Sequence, residues 1–183
     1  MNREQVLQEI RQRVKNPNLV KHMLATEVVM RSLARHFGED EEAWALAGLI
    51  HDIDVELTGA DLSQHSKMGA GMVRALGLPE VVAHAVLCHN EIHGEPRKSL
   101  LDKALFCADP VTGLIVAATL VLPEKKLSAL SLASLSKRFK EKRFAAGARR
   151  EQIALCAELG QELEAFLNLA LEAMKQIPEE LGL

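Results

Sequence analysis

The sequence is poor in aromatic residues: they make up 3% of its 183 residues, and tyrosine is absent. Hydrophobic residues nevertheless make up 48% of the chain, and alanine and leucine supply much of that content. Because aromatic and β-branched residues favour strands whereas alanine and leucine favour helices, we expect an all-α protein. The length is sufficient for one domain with a substantial hydrophobic core.

Cysteine is also scarce. Cys88, Cys107 and Cys156 are isolated thiols without a CxxC pair, which argues against a disulfide framework and against a cysteine zinc site. The longest apolar runs, such as residues 114–122, are too short to cross a bilayer, and the charged N-terminus lacks the apolar stretch of a signal peptide. The sequence therefore predicts a reduced, cytoplasmic protein with no membrane partner.

Apolar residues recur at helical spacing along most of the chain. Asp109 should end one helix, because Pro110 disfavours helical geometry at the residue before it. We expect residues 1–123 to form a helical core and residues 124–183 to pack on the same domain as an additional layer. The predicted helices cover residues 2–14, 18–37, 39–52, 66–76, 79–90, 99–109, 114–122 and 151–176.

Histidines and aspartates near the ends of apolar helices are the unusual feature of this sequence. The apolar run from Ala45 to Ile50 ends in the adjacent pair His51 and Asp52. An imidazole and a carboxylate at one helix end can reach the same metal ion if other helices supply further ligands. Without a metal or a polar partner, such groups are costly in a core.

Inward-facing polar residues at His22, His65, His89 and Asp109 are candidates for those further ligands. Taken singly, each has a simpler explanation, and an inward histidine such as His22 is more often a hydrogen-bonded core residue. The spacing of His89 and His93 is that of a zinc-protease helix. The glutamate does not directly follow the first histidine, however, and Gly94 interrupts the helix, so His93 is predicted to lie in a loop.

The linked pattern His22, His51-Asp52 and Asp109 resembles the H…HD…D pattern of the HD superfamily of metal-dependent phosphohydrolases. The resemblance covers about Lys21 to Gly113. His65 in QHSKMGA and His89 in VLCHNE are similar to the additional histidines of two-metal members, including those that cleave dinucleoside polyphosphates. The stretches ADPVTGLI and KRFK…FAAGARRE resemble an uncharacterised bacterial and archaeal branch of HD and HDIG-type hydrolases. HDIG members carry Ile-Gly after the HD pair, whereas this chain has Ile53-Asp54.

The resemblance implies an HD-domain helical core that binds one or two divalent transition-metal ions (Mn, Fe, Zn, Co or Ni). The mixed imidazole and carboxylate ligands suit these ions better than Mg. Asp52 would bridge two ions, which would hold a hydroxide for attack on a phosphoester or phosphoanhydride of a nucleotide-like small molecule. The implied ligands are His22, His51, Asp52, His65, His89 and Asp109. Besides Asp52, the candidates for orienting ligands or protonating the leaving group are Asp54, Glu56, His93 and Lys103.

Residues 137–150 form a basic segment with seven Lys or Arg and one Glu, a local charge of +6 in a chain of net charge −3. A solvated charged surface is the default interpretation of such a segment. As a functional element it would bind substrate phosphates if the C-terminal layer covers the pocket. The residues concerned are Lys137, Arg138, Lys140, Arg149 and Arg150. With so few aromatic residues to stack on bases, extended nucleic acid is not expected as a partner.

Two other functions stay open at this point. A di-iron oxygenase on the same scaffold would use the same ligand types. A non-catalytic module would bind a nucleotide in the pocket and regulate a partner. The amphipathic C-terminal helix also offers a surface for pairing with a second copy of the chain.

Overall fold

The computed structural model describes residues 1–183, which form eleven α-helices and three short 3-10 segments and contain no β-strand. This confirms the all-α prediction. The α-helices are α1 (Arg3–Arg13), α2 (Pro17–Phe37), α3 (Glu41–Ile50), α4 (Val55–Thr58), α5 (Lys67–Ala75), α6 (Glu80–Cys88), α7 (Leu100–Leu120), α8 (Leu132–Lys140), α9 (Arg150–Ala154), α10 (Leu163–Met174) and α11 (Pro178–Leu181). The 3-10 segments are Glu91–His93, Leu127–Ala129 and Leu155–Leu159.

The backbones of α2 and α3 touch at Gly48. A Cβ atom there would lie 2.7 Å from the carbonyl oxygen of Thr26 and 2.9 Å from the Cα atom of Glu27. Only glycine allows two helices to approach this closely. His22 lies one turn before Thr26, and His51 lies three residues after Gly48, so this contact sets the distance between the two histidines.

Helix α7 runs through the middle of the protein and packs against α2, α6 and α9. The predicted helix end at Asp109 is wrong, because the helix continues through Pro110 to Leu120. Proline inside a helix costs about 3 kcal/mol. Here both halves of the helix are buried, with Leu105 and Leu114 fully inaccessible, and this packing offsets the local cost. As a result, Asp109 lies within a rigid buried helix instead of at a bend.

The 21 residues of α7 are also long and apolar enough to meet the composition criteria for a membrane span. The apolar runs had been predicted to be too short for this. In the fold, 67% of the most apolar 18-residue stretch of α7 is buried inside the protein, as is common for the central helix of a helical core.

The C-terminal residues add to the same hydrophobic core. Leu135, Ile153 and Phe166 are buried in one cluster with residues of α1, α2 and α7. The single helix predicted for residues 151–176 is wrong: α9 and α10 are separate helices, and Gly160 has a left-handed φ of 72° between them. Glycine adopts this conformation without strain and ends the first segment.

The contact at Gly48 leads to a stability prediction. Gly48→Ala should lower the free energy of unfolding by about 1–3 kcal/mol, because the new methyl group would overlap backbone atoms that cannot move independently. Urea denaturation measures this. Gly71→Ala is the matched control, since Gly71 also lies inside a helix but a Cβ there meets nothing within 4 Å. Equal stability of the two variants would contradict the role given to Gly48.

Candidate metal centre

Six polar side chains converge beyond the C-terminal end of α3. They come from five separate parts of the chain, and they are the six residues predicted as metal ligands. Their positions are His22 on α2, His51 and Asp52 directly after α3, His65 shortly before α5, His89 directly after α6 and Asp109 on α7.

One oxygen of Asp52 faces the first group of these residues, His22, His51 and Asp109. Asp52 Oδ2 lies 3.5 Å from Nε2 of His51 and 3.8 Å from Nε2 of His22. Asp109 Oδ1 lies 3.0 Å from the same nitrogen of His22 and 3.8 Å from that of His51. Two imidazoles and two carboxylates thus surround a common point.

The other oxygen of Asp52 faces the second group, His65 and His89. Asp52 Oδ1 lies 3.4 Å from Nε2 of each of these two histidines. The carboxylate of Asp52 therefore lies between two sets of imidazole nitrogens. This is the arrangement expected of a carboxylate that bridges two ions.

Hydrogen bonds on the far side of each ring determine which nitrogen faces the centre. Nδ1 of His51 donates to the carbonyl oxygen of Gly48 at 2.8 Å, and Nδ1 of His89 donates to that of Val86 at 2.6 Å. A carbonyl oxygen can only accept, so both Nδ1 atoms carry a proton. In the neutral ring the Nε2 atom then presents a lone pair to the centre.

The other two histidines are held in the same way. Nδ1 of His65 donates to Asp54 Oδ1 at 2.9 Å. Nδ1 of His22 donates to the Thr112 hydroxyl at 3.0 Å, because that hydroxyl uses its own proton on the carbonyl oxygen of Asp109. All four rings therefore direct an Nε2 lone pair towards carboxylate oxygens.

Such an arrangement requires a cation. The Nε2 atoms of His22 and His51 are 3.1 Å apart, and those of His65 and His89 are 3.2 Å apart. Two lone pairs at this distance repel one another unless a proton or a metal ion lies between them. Nitrogen and oxygen ligands at about 2.0–2.2 Å from one ion are separated by similar distances. The donor set therefore fits a divalent transition metal in each group.

The pKa values show how protons occupy this centre when no metal does. Burial is the largest influence on Asp52 and would raise its pKa, but the surrounding imidazoles, led by His51, hold that pKa well below the usual range. Burial would lower the pKa of His89, yet the interaction with Asp52 raises it to about 8. Burial dominates at His51 and lowers its pKa. A metal ion must therefore displace protons from the site.

Asp54 positions His65 and does not face the centre. Its carboxylate is fully buried and accepts hydrogen bonds from His65 Nδ1 and from the backbone N–H groups of Ser66 and Gly69, both at 2.8 Å. Ser66 has a φ of 69°, a strained conformation for a residue with a Cβ atom, and its N–H is thereby held on Asp54. These bonds occupy both carboxylate oxygens of Asp54, which therefore fixes the orientation of the His65 ring.

Glu56 and Lys103, two other predicted helpers, are not at the centre. The carboxylate of Glu56 accepts from the backbone N–H groups of Lys15 and Asn16 and so holds the turn between α1 and α2. Lys103 makes no side-chain hydrogen bond or ion pair. It precedes Asp109 by six positions on α7, which places the two on different faces of the helix. The structure gives neither residue contact with the ligand groups.

His93 lies in a 3-10 segment, as its predicted loop position suggested. Its Nε2 donates to the carbonyl oxygen of His65 at 2.7 Å, and the amide of Asn90 donates to the same oxygen at 3.2 Å. Both residues therefore hold the backbone of His65. The contacts of His93 therefore reach the centre through that backbone, and its catalytic role stays a prediction.

Arg150 and Arg138 of the basic segment bond to other groups of the chain. Arg150 donates to the carbonyl oxygens of Ala145 and Ala148, both at 2.6 Å, and to that of Phe144, so it closes the turn after α8. Arg138 pairs with Glu141 at 2.7 Å. Arg138 and Arg150 thus have partners within the fold, and substrate binding by these guanidinium groups stays a prediction.

The remaining basic candidates lie elsewhere. Arg149 pairs with Glu91, in the loop that follows His89. Lys137 and Lys140 line a cavity of about 430 Å³ that none of the six ligand residues borders. The structure thus does not bring these lysines to the metal centre.

Two cavities meet at His22 and Gly113. One of about 350 Å³ is bordered by Asp109, Ala145 and Gly147, and the other, of about 440 Å³, is bordered by Lys21 and a row of apolar residues. The sequence did not predict these lining residues. The only signals were the position of Lys21 directly before His22 and the FAAGARRE stretch, which was noted only as a resemblance.

Comparison with known proteins gives one family and several relatives. The HD domain family model matches residues 19–114, just over half of the chain. Ribonuclease Y of Nitratiruptor sp. is 32% identical over 164 residues, which cover 87% of this chain and 31% of that protein. Ribonuclease Y of Sulfurovum sp. is 28% identical over 82% of this chain and 28% of the relative, and that of Chloroflexus aurantiacus is 26% identical over 90% and 32%.

This chain therefore spans about a third of the length of these relatives. No solved structure matches it.

Metal binding at pH 7 should release protons. The pKa of His89 is raised to about 8, so the ring is mostly protonated at pH 7 and must lose that proton to bind a metal. Raising the pH from 6 to 8 should therefore increase metal affinity, with little further gain from this group above 8. Calorimetric titration with Zn²⁺ or Mn²⁺ in two buffers of different ionisation enthalpy measures the number of protons released. A value of zero would contradict this account of the centre.

Asp54→Asn should weaken metal binding by the second group, His65 and His89. The amide cannot replace the carboxylate that fixes the ring of His65, and the loss of such an orienting partner typically costs 10- to 100-fold in metal affinity. Metal titration of the stripped protein would detect the weakened site. Asp61→Asn is the matched control, because Asp61 is an exposed carboxylate that bonds only within the same loop. Equal affinity in both variants would rule out the orienting role.

Proposed function

Since the chain belongs to the HD-domain family of metal-dependent hydrolases, we propose that it hydrolyses a phosphoester or phosphoanhydride of a nucleotide-like molecule. The observation that carries this proposal is the position of the Asp52 carboxylate between two pairs of imidazoles with converging lone pairs. We assign His22, His51, Asp52 and Asp109 to one ion, and His65, His89 and Asp52 to the other. Ions in such sites lower the pKa of water and neutralise charge that develops on phosphoryl oxygens.

The contribution of the chain is orientation and access. The Nδ1 hydrogen bonds keep the four rings in a fixed tautomer and position, so the ligands need no rearrangement when substrate arrives. Side-chain exposure differs within the centre: it is 23% for His22 and 29% for Asp109, but 0% for His51 and 4% for His89. Substrate therefore approaches from the side of α2 and α7, where the two cavities lie.

The size and lining of the cavities favour a small-molecule substrate. Volumes of about 350 and 440 Å³ are within the range of small-molecule sites, roughly 300–1,000 Å³. Lys21 supplies a cation beside His22 that suits a phosphate, and the apolar wall at Val116 and Leu120 suits a base or another uncharged part. Arg138, Arg149 and Arg150 bond to other groups of the chain, and Lys137 and Lys140 border a cavity away from the centre, so these five candidates do not form a basic track for a polymer beside the six ligands.

RNA is the second candidate substrate. The relatives that cover most of this chain are named Ribonuclease Y, and the bond that a ribonuclease cleaves is also a phosphodiester. The likeness extends beyond the six ligand residues to 87% of the chain in one relative. An RNA end entering the cavity beside Lys21 would use the same centre and the same approach.

Asp52→Ala should reduce hydrolysis at least about 100-fold, because it removes a ligand from both proposed ions at once, whereas loss of an orienting partner alone costs 10- to 100-fold. The stripped protein would be loaded with Mn, Fe, Zn, Co or Ni and tested on bis(p-nitrophenyl) phosphate, a dinucleotide and an end-labelled single-stranded RNA. Asp61→Ala serves as the control variant, and it should retain full activity.

Unchanged turnover in Asp52→Ala would remove the hydrolase proposal. Cleavage of the dinucleotide without cleavage of the RNA supports the small substrate, whereas the reverse supports the second candidate.

A further inference from the structure

A separate cluster of metal-ligating side chains lies between the C-terminal end of α6 and the first turn of α7. His84 and Cys88 are one turn apart on α6, Asp102 is on α7, and Glu95 is in the linker between them. None of the six ligand residues of the metal centre belongs to this cluster. We call these four residues the α6–α7 cluster.

The carboxylate of Asp102 is only 1% exposed and is already oriented. Its Oδ2 accepts from the backbone N–H groups of Lys98 and Ser99, both at 2.9 Å. Its Oδ1 is left to face the interior of the cluster, 3.0 Å from Nδ1 of His84. A carboxylate held on one side by backbone donors is a preorganised ligand on the other.

The sulfur of Cys88 completes the geometry. It lies 3.5 Å from Nδ1 of His84 and 3.7 Å from the carbonyl oxygen of Pro96. A tetrahedral zinc ion at 2.0–2.3 Å from its ligands separates them by about 3.3–3.8 Å. Glu95 Oε1 lies 3.8 Å from the opposite ring nitrogen, Nε2 of His84. The sulfur also lies 3.8 Å from Nε2, so it rests against the face of the ring. One ligand atom each from His84, Cys88 and Asp102 lies within 4.8 Å of the other two, and a rotation of the Cys88 side chain would bring its sulfur to an ion on Nδ1. Glu95 is then the acidic group nearest the Nε2 proton.

A catalytic role for this cysteine, histidine and aspartate does not fit. Cys88 is 1% exposed, and burial, followed by the charges of Asp102 and Glu95, raises the pKa of its thiol to about 12. Such a thiol is not a nucleophile at neutral pH. An ordinary hydrogen bond would explain the pairing of His84 with Asp102. It does not explain a second carboxylate and a sulfur on the same ring with no Lys or Arg paired to either carboxylate.

We propose that His84, Cys88 and Asp102 bind a divalent ion of the zinc type, and that Glu95 orients His84 through its Nε2 proton. A thiolate, an imidazole and a carboxylate together favour Zn²⁺ or Co²⁺ over Mg²⁺. Binding breaks the S–H bond of Cys88 and moves the proton of the neutral His84 ring from Nδ1, where it faces Asp102, to Nε2. Sulfur–metal and nitrogen–metal bonds form, and the thiol proton goes to solvent. This revises the expectation that the isolated cysteines bind no zinc, since the ligands are spaced i, i+4 on one helix and completed by another helix.

The proposed ion would also stabilise the neighbouring centre. Cys88 directly precedes His89, and the linker that carries Glu95 follows the segment in which His93 holds the backbone of His65. An ion at the α6–α7 cluster would fix the end of α6 to the start of α7. It would therefore hold both histidines of the second group in place without touching substrate.

Cobalt titration of the reduced, metal-stripped full chain tests this proposal. A thiolate bound to Co²⁺ gives a charge-transfer band in the near ultraviolet, and the nitrogen and oxygen ligands around Asp52 cannot give one. Wild type and Asp52→Ala should both develop the band, with a final intensity that corresponds to one thiolate-bound ion per chain, whatever further Co²⁺ the centre around Asp52 takes up. Cys88→Ser should lose it, whereas Cys107→Ser, which removes another buried thiol, should keep it.

His84→Gln provides a second variant in case Cys88→Ser fails to fold, as judged by its helical circular dichroism. It should lower Co²⁺ affinity at this site at least about 10-fold while the sulfur stays present. Absence of the band in Asp52→Ala, or its persistence in folded Cys88→Ser, would overturn the proposal. So would unchanged affinity in His84→Gln.

Discussion

The structure depends on one electrostatic constraint: four imidazole lone pairs and two carboxylates point at the same small volume. Each ring is fixed from behind, by Gly48, Val86, Thr112 or Asp54, so no rotation of a side chain can relieve the repulsion. Cations must neutralise the centre, as protons in the free protein and as metal ions in the working one. The direction of the pKa shifts at Asp52 and His89 follows from the same constraint.

The fold maintains this constraint with ordinary packing. Gly48 brings α3 against α2, and the buried, continuous helix α7 carries Asp109 and Thr112 to the other side of His22. Among the residues around the centre, Ser66 has a strained backbone with positive φ, which directs an N–H group to Asp54. Rigid helices and a strained turn hold the ligands in place, while His22 and Asp109 remain accessible to substrate.

Much of the centre could be predicted from sequence. Burying a His or Asp at the end of an apolar helix is energetically costly, so its presence there indicates a metal or a polar partner. The same local reasoning failed at Pro110, where tertiary packing outweighs the preference of the residue before proline. Nor could it show what Arg138 and Arg150 contact. Whether an arginine binds phosphate or closes a turn depends on carbonyl groups that only the folded chain brings together. The proximity of Asp102 and Cys88 was likewise not predictable, because the two residues lie on different helices that only the folded chain brings together.

Anomalous-difference maps of crystals grown with Mn²⁺ or Zn²⁺, recorded at the absorption edge of the metal, test the central claim most directly. The account predicts two peaks near Asp52, about 3.5–4 Å apart, one among His22, His51 and Asp109 and the other between His65 and His89. The absence of both peaks at saturating metal, with the six side chains in the positions described, would contradict it.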